Sequence, residues 1–539
     1  MPPASHRRRV RWALALVATV LLAVACGDGD GEPPGSAVPA DPGLVKTASG
    51  TVRGVVAPDH RLFAGIPYAA PPVGPLRFAP PVPVPAWQGV RDAARLGPRC
   101  IQDRGEDPEF GRQTDEDCLT LNVWTPPVAH SGDERRPVMV WIHGGAYVNG
   151  SGGAYDSRRL AERGGIVVVT LNYRLGALGF LAHPALGAPG DVGNYGLADQ
   201  QAALRWVRDN IAAFGGDPDR VTVAGESAGG MSVCDHLVAP DSQGLFRAAI
   251  IQSAPCQAQA TLPVAEKSSL AYAAQVGCGD AQSAARCLRA LPAGKLEKSP
   301  WYFAIGRDTL VGPVSGTKVL PANPVAMFAD GRAATVPVMI GTNRDEFTLF
   351  VALQYLRLGA DYTADQYPQL LAETFGADAG AVQEHYPLTR YDSVPLAYSS
   401  AVTDGVFACV SDRMADSLAK AEPVYAYEFN DRGAPAADPL RKLPFPLGAS
   451  HSLELRYLFD LGGALRLNPV QQTLSDQMID YWSEFVKNGS PRAEKQPDWP
   501  EFGSDPAAGK VLSLQPDGSR VVTSFEQEHQ CPFWAGLKG

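Results

Sequence analysis

The run Gly225-Glu226-Ser227-Ala228-Gly229 sets a serine hydroxyl among small residues. A G-x-S-x-G segment directly after a strand turns the chain so tightly that only residues without bulk fit around the serine. The turn lifts the hydroxyl clear of the sheet. The pattern alone is weak, since composition makes a chance match expected about 0.3 times in a chain of this kind. Context strengthens it: the β-branched run Val221-Thr222-Val223-Ala224 precedes the turn, and a helix-compatible segment follows. A serine hydroxyl is a poor nucleophile until a base takes its proton, so a histidine is needed, and that histidine needs a carboxylate to orient it.

In α/β-hydrolases these groups follow one another in the order Ser, acid, His. The histidines after Ser227 are His236, His385, His451 and His529. His236 falls in the helix after the elbow and should point away. His385 lies in a polar, helical stretch, and His529 lies near the C-terminus. His451 sits in the small-residue loop Gly448-Ala449-Ser450-His451-Ser452, after the strand Val424–Phe429, where an imidazole has room to move. The acid should end a strand between the serine and the histidine. Gly341-Thr342-Asn343-Arg344-Asp345-Glu346 follows Val336–Ile340 and offers Asp345 or Glu346, and spacing alone leaves both open. A fourth component is His143-Gly144-Gly145-Ala146 after the strand ending at Ile142, where backbone N–H groups can approach a developing alkoxide. Each feature also has an ordinary reading as a packing histidine, a solvated turn or a plain glycine turn.

The elements that must position these groups are legible as short apolar runs. Val138–Ile142, Ile166–Leu171, Val221–Ala224, Ala248–Ile251, Val336–Ile340 and Val424–Phe429 suit strands buried on both faces. Between them Leu204, Val207, Ile211 and Phe214 share one helical face, with Asp199 near the helix start and Gly215-Gly216 past its end. Strands alternating with helices predict an α/β layered fold. The chain has 539 residues, 45% hydrophobic and 19% charged, with a formal net charge of −10, so a large core is affordable and nucleic-acid binding is excluded. Its 55 Gly and 47 Pro argue against a helical bundle or coiled coil. Length alone suggests about three or four domains, yet no linker or repeat interrupts the chain after Val45.

Residues 1–25 have the form of an export signal: Arg7, Arg8, Arg9 and Arg11 precede the uncharged stretch Trp12–Ala25. That stretch is short of the roughly 20 residues a spanning helix needs. Residues 26–45, rich in Gly, Pro and Asp, read as a solvated tether, and 46–539 as the folded part. Ala23-Val24-Ala25 offers an A-x-A cleavage site that would release a secreted protein. Leu22-Ala23-Val24-Ala25-Cys26 also approximates a bacterial lipobox, with Cys26 lipidated, and this is the favoured reading.

Beyond these local signals, the sequence resembles the type-B carboxylesterase family, which includes the cholinesterases, from about Val45 to Trp534. Phe63–Ala69 with Pro71–Gly74, Glu116–Trp124, Asn172–Leu175, Gly193–Leu197 through Phe214–Pro218, and the elbow Gly225–Gly230 carry the resemblance. It implies one α/β-hydrolase domain with a large, mostly parallel twisted sheet flanked by helices. It implies Glu346 rather than Asp345 as the acid, His451 as the base, and the amides of Gly145, Ala146 and Ala228 as oxyanion donors. Glu226 and Ser253 would support the triad. The implied disulfides are Cys100–Cys118, Cys278–Cys287 and Cys409–Cys531, with Cys234 and Cys256 left as a further candidate pair and an oxidising compartment following from them. Between Cys100 and Cys118 there is no Trp, where cholinesterases keep the aromatic residue that receives a quaternary ammonium, so choline-ester specialisation is not expected.

The expected protein is therefore an exported serine carboxylesterase acting on a small-molecule ester through an acyl-enzyme, with no metal or cofactor and no protein or nucleic-acid partner. It would sit at the cell surface or in the periplasm as a lipoprotein, with contact to a membrane only through the lipid, or be secreted after cleavage at Ala25. Two competing readings are a non-catalytic surface protein on the same fold, whose mark would be a missing triad residue, and a lipase, thioesterase or amidase, which only the acyl and alcohol pockets distinguish. The segments 299–323 and 353–391 are the candidates for shaping those pockets.

Overall fold

In a computed structural model of the chain, residues 41–103, 113–127, 135–300, 302–305, 308–503 and 511–537 are described. The export signal, Cys26 and the tether to residue 40 lie outside them. The main sheet has eleven strands: β1 (Val55–Val56), β2 (Arg61–Pro67), β3 (Thr120–Thr125), β4 (Arg136–Ile142), β5 (Val167–Leu171), β6 (Gly216–Glu226), β7 (Ala248–Gln252), β8 (Val338–Asn343), β9 (Val424–Phe429), β10 (Val511–Leu514) and β11 (Arg520–Val522). Their spatial order is β11-β10-β9-β8-β7-β6-β4-β5-β3-β2-β1. The block from β5 to β10 is parallel, while β3, β2, β1 and β11 complete the edges antiparallel. This is the α/β-hydrolase fold that the sequence resemblance implies.

Alternation along the central strands explains why their sequences read as unbroken apolar runs. Val138, Val140 and Ile142 face one core with Val167, Val169, Val221, Val223 and Ile340. Met139, Trp141, Val168, Ala224, Ile250 and Met339 face the other. Successive side chains of a strand point to opposite faces, so a strand covered on both sides must be apolar at every position. The first face packs against the amphipathic helix α2 (Tyr195–Asn210) and the fully buried helix α3 (Ala228–Val238). The second packs against α1 (Arg158–Gly164) and α4 (Pro469–Asn488), the latter through Leu474, Met478, Trp482 and Phe485. In α4, Asn468 caps the N-terminus and Gly489 closes the C-terminus in the left-handed region (φ 70°), as helix-end rules require.

Four features differ from the expectations. Leu44–Lys46, placed partly in the tether, pairs with Thr51–Arg53, so the folded unit starts before residue 46. The acid-bearing strand begins at Val338 rather than Val336, because Pro337 offers no N–H to the ladder. Asp199 is not a dipole partner at a helix start. It lies in the second turn of α2, fully buried, and clasps Arg174 at 2.7 Å. Burial raises its carboxyl despite Arg174, as expected for a charge taken out of water. Finally, the antiparallel strands β2 and β3 were not among the predicted elements.

Eight cysteines form four disulfides: Cys100–Cys118, Cys234–Cys256, Cys278–Cys287 and Cys409–Cys531. The Cys234–Cys256 pair, open at the sequence level, is formed. The bridges close loops of very different length, 122 residues for Cys409–Cys531 and 9 for Cys278–Cys287. In the chain-entropy account, removing the long bridge by Cys409→Ala/Cys531→Ala costs about 5 kcal/mol and removing the short one about 3 kcal/mol. Urea unfolding of the two double variants checks that order, and a reversed order would show that the longer loop is already constrained in the unfolded chain.

Candidate active site

Parallel register brings the C-terminal ends of the central strands to one edge of the sheet. Ile142 pairs with Gly225, Glu226 with Gln252, Gln252 with Gly341 and Asn343 with Phe429. Gly145, Ala146, Ser227, Ala228, Ser253 and Glu346 follow closely on these ends, Glu226 is the last residue of β6, and His451 is brought in by the longer connection after β9, the usual place for chemistry in an open α/β sheet.

At the end of β6 the chain reverses within one residue. Ser227 has φ 57° and ψ −123°, a conformation costly for a side-chain-bearing residue. Its N–H donates to Gln252 O at 2.9 Å, and its carbonyl accepts from Met231 N at 2.8 Å as α3 begins. The flanking glycines are required by contact rather than by conformation. A Cβ on Gly229 would stand 2.0 Å from Ile142 O, and one on Gly225 would stand 2.5 Å from the Gly229 carbonyl.

The turn after β4 lies directly against this elbow. A Cβ on Gly144 would come within 3.1 Å of Ser227 Cβ. Gly145 (φ 104°), Ala146 (φ 53°) and Tyr147 (φ 59°) follow in the left-handed region, turning successive amides. Among the described residues no backbone or side-chain acceptor takes the amides of Gly145, Ala146 or Ala228. His143 supports the turn from below. It stacks on Tyr173 with ring centroids 4.4 Å apart, and its Nδ1 lies 2.8 Å from Gly144 O. Burial lowers its pKa to about 4, so it stays neutral.

Of the two carboxylates that spacing left open, it is Glu346 that meets His451. Glu346 Oε2 lies 2.6 Å from His451 Nδ1, and Glu346 Oε1 accepts from Thr342 Oγ1 and Asn343 N, each at 2.7 Å. Asp345 turns elsewhere: it pairs with Arg432 at 2.8 Å and accepts from Ala449 N at 2.9 Å, bracing the histidine loop two residues before His451. Burial alone would raise the Glu346 carboxyl, but His451, the Asn343 N–H and the neighbouring Ser253 hydroxyl hold it below its ordinary value. The Ser253 hydroxyl makes no well-formed hydrogen bond, so it acts as a nearby dipole.

The imidazole of His451 is 4% exposed and packs between Phe350 and Phe407, with ring centroids 5.1 and 5.6 Å away. Its Nε2 stands 3.2 Å from Glu226 Oε1 but has no hydrogen-bond partner, Ser227 included. Such bonds commonly tighten only around a reacting group. Glu226 in turn accepts from Ser452 Oγ at 2.6 Å. A third buried carboxyl, Glu454, was not among the candidates. It accepts from Asn343 Nδ2 at 2.7 Å and from Gln252 Nε2 at 3.2 Å. Burial and the two neighbouring carboxylates push Glu454 up, and burial also raises Glu226. Its only sequence signal is a carboxylate three residues beyond the loop histidine. Of the other histidines, His236 is buried against Ser242 and Gln200, and His385 stacks on Phe533 at 3.9 Å. Neither reaches the site.

A family model described as the carboxylesterase family matches residues 41–534. The chain is 36% identical to the fumonisin B1 esterase of Sphingopyxis macrogoltabida, over 94% of this chain and 93% of that protein. It is likewise 36% identical to the para-nitrobenzyl esterase of Bacillus subtilis (strain 168), over 88% of this chain and 95% of that protein. A solved structure of a thermophilic PNB esterase superposes with a TM-score of 0.76 at 31% identity, covering 92% of this chain and all of the other.

The charge arrangement has a measurable consequence. Burial alone would lower His451, but Glu226 first, then Glu346 and Glu454, push it up to about 9. Only the neutral imidazole can take a proton, so reactivity at Ser227 should rise with pH through this elevated value. In Glu226→Gln one of the raising charges is gone, and the rise should move to lower pH. The pH dependence of fluorophosphonate labelling in both proteins reads this directly, and an unmoved profile would remove Glu226 from the account.

Proposed function

The chain belongs to the carboxylesterase family and is a carboxylic ester hydrolase, and from that premise we propose that it is an exported serine esterase working through Ser227, Glu346 and His451. The observation that carries this reading is the 2.6 Å contact between Glu346 and His451 Nδ1, buried beside a serine held at positive φ on the end of β6. Ser227 Oγ attacks the ester carbonyl carbon while His451 Nε2 takes its proton. Glu346 stabilises the imidazolium through Nδ1. The carbonyl oxygen becomes an alkoxide received by the amides of Gly145, Ala146 and Ala228, whose donors point nowhere else in the described chain. His451 then returns the proton to the leaving alcohol, and an acyl-Ser227 ester remains. Water, deprotonated by the same nitrogen, attacks that ester and releases the acid.

Phe350 and Phe407, packed on the imidazole, give the substrate an aromatic wall and favour an ester with an apolar acyl or alcohol group. Export is supported by the basic and apolar N-terminal segment and by four disulfides, which persist in oxidising compartments. Cys26, the ninth cysteine, is proposed as the lipidated first residue of the mature chain.

Ser227→Ala should lower kcat on p-nitrophenyl esters by at least about 10⁴-fold and abolish fluorophosphonate labelling. Full labelling of that variant would move the nucleophile elsewhere. A preference for short acyl chains supports an esterase, whereas undiminished rates beyond about ten carbons point to a lipase, because chain burial along the binding surface would then be contributing to transition-state binding. Mass spectrometry of the mature N-terminus should find a diacylglycerol-modified Cys26, and an unmodified chain beginning at Cys26 would mean simple secretion.

A further inference from the structure

A second buried histidine lies outside the site and is held more symmetrically than the first. His529 is 2% exposed, with Nδ1 2.5 Å from Asp404 Oδ1 and Nε2 2.7 Å from Glu428 Oε1. Both ring nitrogens face carboxyl oxygens; burial raises the Asp404 carboxyl while His529 holds it down, and with both carboxyls ionised, as acceptors, both nitrogens donate and the ring is an imidazolium. Burial alone would lower its pKa, but the two carboxylates push it up to about 9.

The two carboxylates belong to segments that touch opposite flanks of the acid loop. Glu428 lies on β9, opposite Thr342 in the ladder, and pairs with Arg344 at 3.2 Å, two residues before Glu346. Arg344 also pairs with Glu528, beside His529 in the chain. Asp404 lies in a π-helical turn, Thr403–Ala408, between the helices Val394–Val402 and Cys409–Leu418. The turn's first residue, Thr403, accepts from Phe347 N through Oγ1 at 3.0 Å, immediately after Glu346. Its fifth, Phe407, packs on the His451 ring. Asp404 accepts further from Tyr386 Oη at 2.8 Å, whose hydroxyl in turn accepts from Trp534 Nε1 at 2.8 Å. Phe525 closes the remaining face of the imidazole at 4.6 Å. The disulfide Cys409–Cys531 pins the segment carrying His529, two residues away, to the helix that follows the π turn. One buried cation thus joins the N-terminal flank of the acid loop to its C-terminal flank and to the wall of the histidine.

We propose that His529, as an imidazolium bridging Asp404 and Glu428, is a positioning residue that holds Glu346 and Phe407 in register with His451. The inference rests on the triad reading above. Removing the charge leaves two carboxylates buried without their cation, and such a cluster relaxes by moving its segments apart or taking up a proton. A displacement near 1 Å at a catalytic group costs about 10²-fold in rate, whereas substrate contacts are untouched. The signature is therefore loss of kcat with KM preserved. The sign of the pH dependence follows from the raised pKa. The charged form is fully present below the ordinary histidine value of about 6.5 and is lost as pH rises through about 9. The groups facing this charge are Asp404 from the π turn, Glu428 from β9, Arg344 from the acid loop and Glu528 from its own segment, with Tyr386 behind Asp404.

The test uses the full chain, with kcat and KM on a p-nitrophenyl ester and thermal unfolding measured for His529→Gln, Asp404→Asn and His529→Arg beside Ser227→Ala. His529→Gln and Asp404→Asn should each lose about tenfold or more in kcat with KM within about twofold, and His529→Arg, which keeps the charge, should recover most of the loss. A general base that need only be neutral gives a plateau at high pH. In the wild type, kcat should instead pass through a maximum near pH 9, rising as His451 gives up its proton and falling reversibly as His529 loses its charge, and in His529→Arg the falling limb should be absent. Wild-type kcat in the folded Gln and Asn variants, whatever their Tm, would overturn the proposal. So would an Arg variant no better than Gln, or a wild-type plateau extending to about pH 10.5. Should His529→Gln fail to fold, Asp404→Asn and the wild-type profile decide alone. Activity surviving in Ser227→Ala would instead count against the triad reading itself.

Discussion

An imidazole almost wholly removed from water, with a carboxylate against one nitrogen, is the constraint around which this molecule is arranged. His451 and Glu346 are both buried, and a charge in that environment is tolerable only when every lone pair and proton is met. The donors that meet Glu346 come from the strand end that carries it, Thr342 and Asn343. The groups that balance His451 come from neighbouring strand ends and from its own loop. Parallel register supplies them together: once β6, β7, β8 and β9 are paired, their C-terminal ends can only lie side by side. The two apolar cores exist to hold that register, and the register holds the charges.

Much of this was legible along the chain because local physics demanded it. The elbow had to be small, since a side chain on Gly229 would collide with Ile142, and the glycines announced it. The strands of the sheet centre were unbroken apolar runs because both their faces are covered. Other parts had no local signature. β2 and β3 lie in the antiparallel part of the sheet, where Arg61, Thr120 and Asn122 interrupt the apolar pattern although β3 is buried throughout. Asp199 looked like a helix-start charge because its partner Arg174 lies 25 residues away. Spacing could not separate Asp345 from Glu346, since which of two adjacent carboxylates turns inward depends on Arg432 and Ala449, roughly a hundred residues on.

The same reasoning accounts for the two groups of residues that sequence reading passed over. Glu454 and His529 acquire their meaning only from contacts across the fold: Glu454 from Asn343 and Gln252, His529 from Asp404 and Glu428. As isolated letters they are an acid beside a loop and a histidine near a terminus. In the folded chain each sits in a buried network of polar and charged groups drawn from distant segments. Such networks specify one arrangement because the alternatives leave a charge stranded.

The disulfide between Cys409 and Cys531 has a temporal meaning as well as a spatial one. It joins the helix Cys531–Gly536 to a segment 122 residues earlier, and His529, which bridges Asp404 and Glu428 beside the acid loop, comes from that end. Contacts of such sequence separation form late and slowly. Without that segment Asp404 and Glu428 lack the imidazole that bridges them. The bridge across the two flanks of the acid loop thus belongs to the slow, non-local part of folding and not to the local elements.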